Sequence, residues 1–282
     1  MRSEETRRTG WKRAGTAAND RGASDQLRWL VDNGEAYEAL VEAIRGARES
    51  IFISQLAFDA DCRVFHDKRP GLPSDPTGER LLDIILAASE RHGVRVRILL
   101  NSSILLNTKR SLARAIAERL PKSALVELRG ISRFPQLLHA KMAIVDGSRA
   151  FLMGSPFVNG YWDSQSHPVA DIRRPNRELG GRAIHDVSVE VRGSAARDLS
   201  ANFEHLWTAA GDVASRVSRE SIKPALRPAS RFVDVVTTEP AGFSSADSPG
   251  STGTLDALLS GIRDARRLIY IEHQYLSSRP VV

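Results

Sequence analysis

Between residues 35 and 130 the chain alternates helix-forming and strand-forming segments three times, and this most limits what it can fold into. "EAYEALVEAIRGARES" puts Tyr37, Leu40, Val41, Ile44 and Ala47 on one helical face. "IFISQLAF" follows, rich in β-branched and aromatic residues, as a strand. "ERLLDIILAASERHG" is a second helix, with Gly93 as its stop, and "VRVRILL" a second strand. "SLARAIAERL" and "ALVELRG" repeat the pattern. Helices alternating with strands predict an α/β fold, a mixed β-sheet flanked by helices.

Further strands are expected over "LLHAKMAIVD", "AFLMGS" and "HDVSVEV", with an Asp-Gly turn between the first two. The first has apolar residues on both faces, as a central buried strand does. "AARDLSANFEHLWTAA" reads as an amphipathic helix and "RFVDVVTT" as a strand. Pro70, Pro73 and Pro76 mark 66–78 as loop, and "PAGFSSADSPGSTGT" reads as a flexible loop.

The first helix–strand unit recurs 218 residues later. "AIRGARESIFISQLAFD" (43–59) aligns with "GIRDARRLIYIEHQYLS" (261–277), with identity at six of the 17 positions. Such internal similarity predicts two homologous halves. The expected organisation is a flexible arm over 1–30, a first domain over 31–212, a linker over 213–253 and the start of a second domain over 254–282.

Composition narrows the function classes. The lone cysteine, Cys62, rules out an internal disulfide and a cysteine-cluster metal site. No apolar run approaches the ~20 residues of a membrane span. The N-terminal arginines lack a following apolar stretch, so no signal peptide is expected, and the expected location is cytoplasmic with the membrane surface as a peripheral option. The net charge of +6 fits either plain solubility or an anionic partner.

The chemistry is concentrated in "LLHAKMAIVDGSRAFLMGSPFVN" (137–159). His139 and Lys141 stand two apart and share a strand face. With seven histidines and six lysines in 282 residues, roughly 0.15 His-x-Lys triplets are expected by chance, and roughly 0.01 with Asp five residues on. A core histidine satisfied by a hydrogen bond leaves Lys141 unexplained, because a buried lysine without an anion is costly. Together they make an anion site with a nucleophile: neutral His139 can attack phosphorus and Lys141 can hold the phosphoryl oxygens. Ser155 and Asn159 can donate hydrogen bonds to the same oxygens. Asp146, past the turn region, is better placed to orient or brace the strand than to take a proton.

"HAKMAIVD…GS" resembles the His-x-Lys-x4-Asp signature of the phospholipase D superfamily. "GSPFVNGYWD" resembles the segment after the first signature, "ELGGRAIHDVSVEVRGSAARDLSANFEHLW" the following "HD" strand and helix, and "LIYIEHQYL" the opening of the second half. The resemblance spans about 35–280 and leans toward the phospholipase branch. Gly154-Ser155 lies one residue farther from Asp146 than in the usual spacing.

The resemblance implies a two-step transfer that needs no metal and no cofactor. His139, Lys141 and Asp146 form the catalytic signature, with His139 as nucleophile or acid/base partner. Ser155, Asn159 and Gln274 line the phosphate, supported by His185, Asp186 and Gly154. His185-Asp186 also reads as an ordinary capped strand start. The expected substrate is a phospholipid or another phosphodiester, with nucleic acid less favoured. The mechanism calls for two facing signatures, and the second falls near residue 357 by the same offset. The expectation is a truncated two-signature chain, completed by a C-terminal half in cis or otherwise by a homodimer. Alternatives are a cardiolipin synthase-like phosphatidyltransferase, a nuclease of the same superfamily, and an inactive phosphate- or lipid-binding remnant.

Overall fold

The computed structural model describes residues 25–273, apart from 67–76, 103–107, 122, 134, 169–170, 175–182 and 212–232. Most of the expected N-terminal arm and residues 213–232 of the expected 213–253 linker lie outside the described residues, as does Gln274.

The chain begins with β1 (Gln26–Val31), which leads directly into α1 (Asp32–Gly46). β2 (Ser50–Gln55), the short β3 (Arg63–Val64) and β4 (Glu79–Arg80), α2 (Leu81–His92), β5 (Arg95–Asn101), α3 (Thr108–Arg119) and β6 (Leu125–Ile131) follow. β7 (Met142–Val145) and β8 (Arg149–Leu152) form a hairpin, followed by a 3-10 turn at Asn159–Tyr161, β9 (Val187–Arg192) and α4 (Ser194–Ala209). β10 (Thr238–Glu239), β11 (Ser251–Thr252) and α5 (Gly253–Asp264) complete it.

Seven strands make one mixed sheet in the order β1-β9-β8-β7-β2-β5-β6. β2, β5 and β6 run parallel, joined through α2 and α3, and the other strand pairs are antiparallel. Parallel neighbours need crossover connections, and the three helix–strand alternations supply them. Gly93 ends α2 in the left-handed region at φ 64°, where only a residue without Cβ sits freely.

Each sheet face has its own core. Leu40 and Ile44 of α1 and Ile85 of α2 pack on Ile53, Ile98 and Val145. On the other face α4 packs Phe203 and Trp207 against Phe52, Leu99 and Ile144. The Phe203 ring stacks on Phe52 at 5.0 Å between centroids. Arg97 sits 5.4 Å from Phe52 and 5.3 Å from Trp207, and its guanidinium is bound by Glu127 and Glu204. A cation shared between aromatic faces and carboxylates is satisfied despite its burial.

Four segments differ from the sequence reading. β1, taken as part of the arm, is an edge strand paired along β9. The strand expected over "LLHAKMAIVD" is only Met142–Val145, and His139–Lys141 form an extended lead-in. Of the described residues of "RFVDVVTT" only Thr238 enters a strand, because Val233 and Val235 cover the α4-side core instead. The stretch 239–253, read as a flexible loop, is anchored by buried Phe243 and by Glu239, which accepts from Ser244, Ser248 and His205.

At the second repeat, α5 forms as the sequence predicts, but 265–273 forms no strand. Leu268 and Tyr270 are 81% and 78% exposed. The equivalent β2 is held between β5 and β7, and residues 268–273 have no such neighbours among the described residues. A strand cannot satisfy its backbone groups without them.

Candidate active site

His139 and Lys141 sit where the chain enters β7. The Ser54 hydroxyl donates to the Ala140 carbonyl at 3.1 Å, and the Met153 N–H donates to the Lys141 carbonyl at 2.9 Å. The lead-in is therefore fixed from β2 on one side and from the end of β8 on the other. Because Ser54 pairs with Met142, Gln55 is the neighbour of Lys141 across the strands. The Gln55 amide is buried and has no hydrogen-bond partner among the described residues. Sequence reasoning missed Gln55; a glutamine closing an otherwise apolar strand was its available signal.

The Lys141 ammonium lies 3.2 Å from His139 Nδ1 and 3.4 Å from the His139 carbonyl. Partial burial, and then the adjacent ammonium, hold His139 below the usual histidine value. Burial likewise lowers Lys141, while the nearby Asp186 carboxylate acts the other way. A neutral imidazole beside a cation is what nucleophilic attack on an anionic phosphodiester needs. With Lys141 donating to Nδ1, the neutral ring carries its proton on Nε2.

The supporting residues partly converge. A Cβ built on Gly154 would stand 2.1 Å from Asp186 Oδ1, so any larger residue there has to displace the Asp186 carboxylate. Asp186, set at the start of β9, is thereby packed on the segment leaving β8, in electrostatic reach of Lys141. His185 Nδ1 binds Asp32 Oδ1 at 2.8 Å.

Three expected site residues are engaged elsewhere. Ser155 is buried and its hydroxyl donates to Asn33 Oδ1 at 2.8 Å. Asn159 accepts from the Arg63 N–H at 2.8 Å and donates to the Asp61 carbonyl at 3.1 Å, bracing the turn before β3. Both would give up partners to bind phosphate. Asp146 opens the β7–β8 turn, with left-handed φ of 50° there and 62° at Gly147. Its carboxylate accepts from the N–H groups of Arg48, Glu49 and Ser50, tying the turn to the start of β2. Five residues of extended chain put it roughly 16 Å from Lys141. The Asp146 carboxylate thus braces the turn, and at that separation it does not touch a phosphate held at Lys141.

His139 and Lys141 open into a groove of about 650 Å³ on the α4 side of the sheet. Its walls are apolar, with Leu27, Trp29, Leu137, Leu152 and Val189 among them, and Trp29 is 65% exposed. Among the described residues the other charged groups along it are Asp234 and Glu239. Among the described residues no helix is long and apolar enough to cross a membrane.

The family model described as cardiolipin synthase, PLD-like domain, matches residues 40–207, more than half of the chain. Phospholipase D zeta 1 of Arabidopsis thaliana is 28% identical over 177 residues, covering 57% of this chain and 15% of that protein. Phospholipase D2 of Bos taurus is 30% identical over 153 residues, covering 51% and 15%. Phospholipase D gamma 2 of Arabidopsis thaliana is 24% identical over 264 residues, covering 78% and 30%. The chain thus spans less than a third of the length of these relatives. Among solved structures, the phospholipase D family member Nuc from Salmonella typhimurium aligns with a TM-score of 0.39 at 17% identity, covering 66% of this chain and 95% of that one. NucT from Helicobacter pylori aligns with a TM-score of 0.43 at 15% identity, covering 66% and 97%. On the family match, the chain belongs to the phospholipase D superfamily, with a PLD-like domain over most of its sheet.

Proposed function

We propose that this chain carries one catalytic lobe of a phosphodiesterase that releases or transfers the headgroup of a phospholipid. The observation that carries the reading is the His139–Lys141 pair at the mouth of an apolar groove. A ring nitrogen of His139 attacks phosphorus. The new N–P bond forms as the P–O bond to the headgroup breaks, and Lys141 balances the charge on the phosphoryl oxygens. The departing alkoxide takes its proton from a general acid. That acid is expected to be the histidine of a facing signature, from a further lobe or a second copy of the chain. Water or an alcohol, giving its proton to the same facing histidine, then attacks phosphorus, breaks the N–P bond and restores neutral His139.

The groove favours lipid over nucleic acid. A backbone-tracking groove for nucleic acid is lined with cations, whereas among the described residues this one offers Lys141 beside apolar side chains with Asp234 and Glu239. Acyl chains gain about 0.8 kcal/mol per buried CH₂ from such walls.

Choline release from phosphatidylcholine vesicles, measured with plasmid cleavage in parallel, tests the reading. Release that disappears in His139→Ala supports it. Salt-sensitive plasmid cleavage without headgroup release would replace it with a nuclease.

A further inference from the structure

A second cluster of ionisable side chains lies apart from the His139–Lys141 pair. Asp32, His167 and His185 come from the β1–α1 junction, the loop after the 3-10 turn and the lead-in to β9. One ligand atom from each lies within 4.8 Å of the other two. The Asp32 side chain is completely buried, while His167 and His185 are 43% and 56% exposed.

The hydrogen bonding leaves one corner unsatisfied. Asp32 Oδ1 accepts from the Asp186 N–H at 3.2 Å and binds His185 Nδ1. Asp32 Oδ2 is buried with no hydrogen-bond partner among the described residues. His167 Nε2 stands 3.3 Å from it. The other nitrogen of that ring is committed, because His167 Nδ1 binds Asp163 Oδ2 at 3.0 Å. Asp163 is fixed in turn by Arg174 and by the Ser164 N–H. With its proton on Nδ1, a neutral His167 turns the Nε2 lone pair toward a buried carboxylate oxygen. That pair of facing lone pairs is a place for a cation, which a proton on Nε2 or a metal ion between the two atoms supplies.

We infer that Asp32, His167 and His185 bind a divalent transition-metal ion of the zinc class. Two imidazoles and one carboxylate, with an open fourth position, suit zinc. The Asp163–His167 bond is the outer-shell carboxylate that orients a ligating imidazole. The exposed rings leave a path in for the ion. Bound there, it ties three chain segments together beside Asp186. The sequence gives no metal-ligand spacing, because His167 and His185 are 135 and 153 positions from Asp32. The inference is independent of the phosphodiesterase reading.

The test uses the full chain, stripped with a chelator and titrated with Zn²⁺ by calorimetry and with Co²⁺ by visible absorption. The expected result is one ion per chain and a Co²⁺ spectrum of tetrahedral intensity without a thiolate band, Cys62 being buried. His167→Ala and His185→Ala each abolish stoichiometric binding, and Asp163→Asn weakens it about 10–100-fold. His205→Ala, an exposed histidine on α4, leaves it unchanged. Zn²⁺ also raises the melting temperature of the unaltered protein, a readout that survives if a variant fails to fold. Absence of stoichiometric binding to the unaltered chain overturns the inference. So does binding that persists in folded His167→Ala and His185→Ala.

Discussion

In the proposed mechanism Lys141 has two roles: it offers a cation to the substrate and, after burial, it helps hold its histidine neighbour below the usual value. Burial and the ammonium both lower His139, which favours the neutral imidazole that the proposed attack needs. The protonated ring cannot attack. Activity therefore rises with pH through the His139 value, and the acid limb of kcat/KM falls below the ordinary histidine value of about 6.5. Lys141→Gln removes the second of the two causes, so its acid limb moves up in pH while its rate falls about 100-fold or more. A limb that does not move means Lys141 leaves the His139 proton unaffected. Gly154 makes a separate point. Gly154→Ala drives a methyl into Asp186 and costs about 1–3 kcal/mol, read as a lower denaturation midpoint. Gly154→Ala with Asp186→Ala recovers part of that loss; full additivity would contradict the clash. Residues such as His139 and Lys141 were legible in the sequence because their chemistry sits two positions apart. Gln55, Asp32 and His167 were not, because what marks them is burial without a partner or proximity across the chain.

Elements were legible where local pattern and tertiary demand agree. α1, α2, α4, β2, β5 and β6 fall where apolar periodicity puts them, since each turns one or both faces to a core. β1 escaped notice because an edge strand beside polar sequence alternates weakly, and "QLRWLV" buries only Leu30. The segment 233–238 has strand propensity, but Val233 and Val235 serve the α4 core and only Thr238 finds a ladder partner. At the β7–β8 turn the account predicts an effect on stability rather than chemistry. Asp146→Ala strips three backbone N–H groups of their acceptor and leaves a non-glycine residue in the left-handed region. It should cost about 1–3 kcal/mol, with Asp146→Asn losing less because asparagine tolerates that region. Folded Asp146→Ala should keep its rate within about 10-fold, against a loss of more than 100-fold for His139→Ala. Equal losses would make Asp146 a reacting group. Opposite the turn, Phe203→Ala removes the ring stacked on Phe52 and should destabilise by about 3–5 kcal/mol, measured by denaturant unfolding.

At the scale of the molecule, one mixed sheet brings the signature lead-in, Gly154 and Asp186 to one edge, and an apolar groove runs from it. The α/β class, the parallel crossovers and the family were all readable from 35–210. The second repeat was readable as sequence similarity but is not a strand here, because pairing needs neighbours that periodicity cannot show. The central claim is that His139 attacks phosphorus. A diester with a p-nitrophenyl leaving group tests it most directly, since that group departs without a general acid and the first step then needs only this lobe. Mixing the chain with bis(p-nitrophenyl) phosphate should give a burst of about one equivalent of p-nitrophenolate and a phosphoryl adduct at His139 by peptide mass. The burst should vanish in His139→Ala. No burst, or a burst that survives that substitution, would contradict the account.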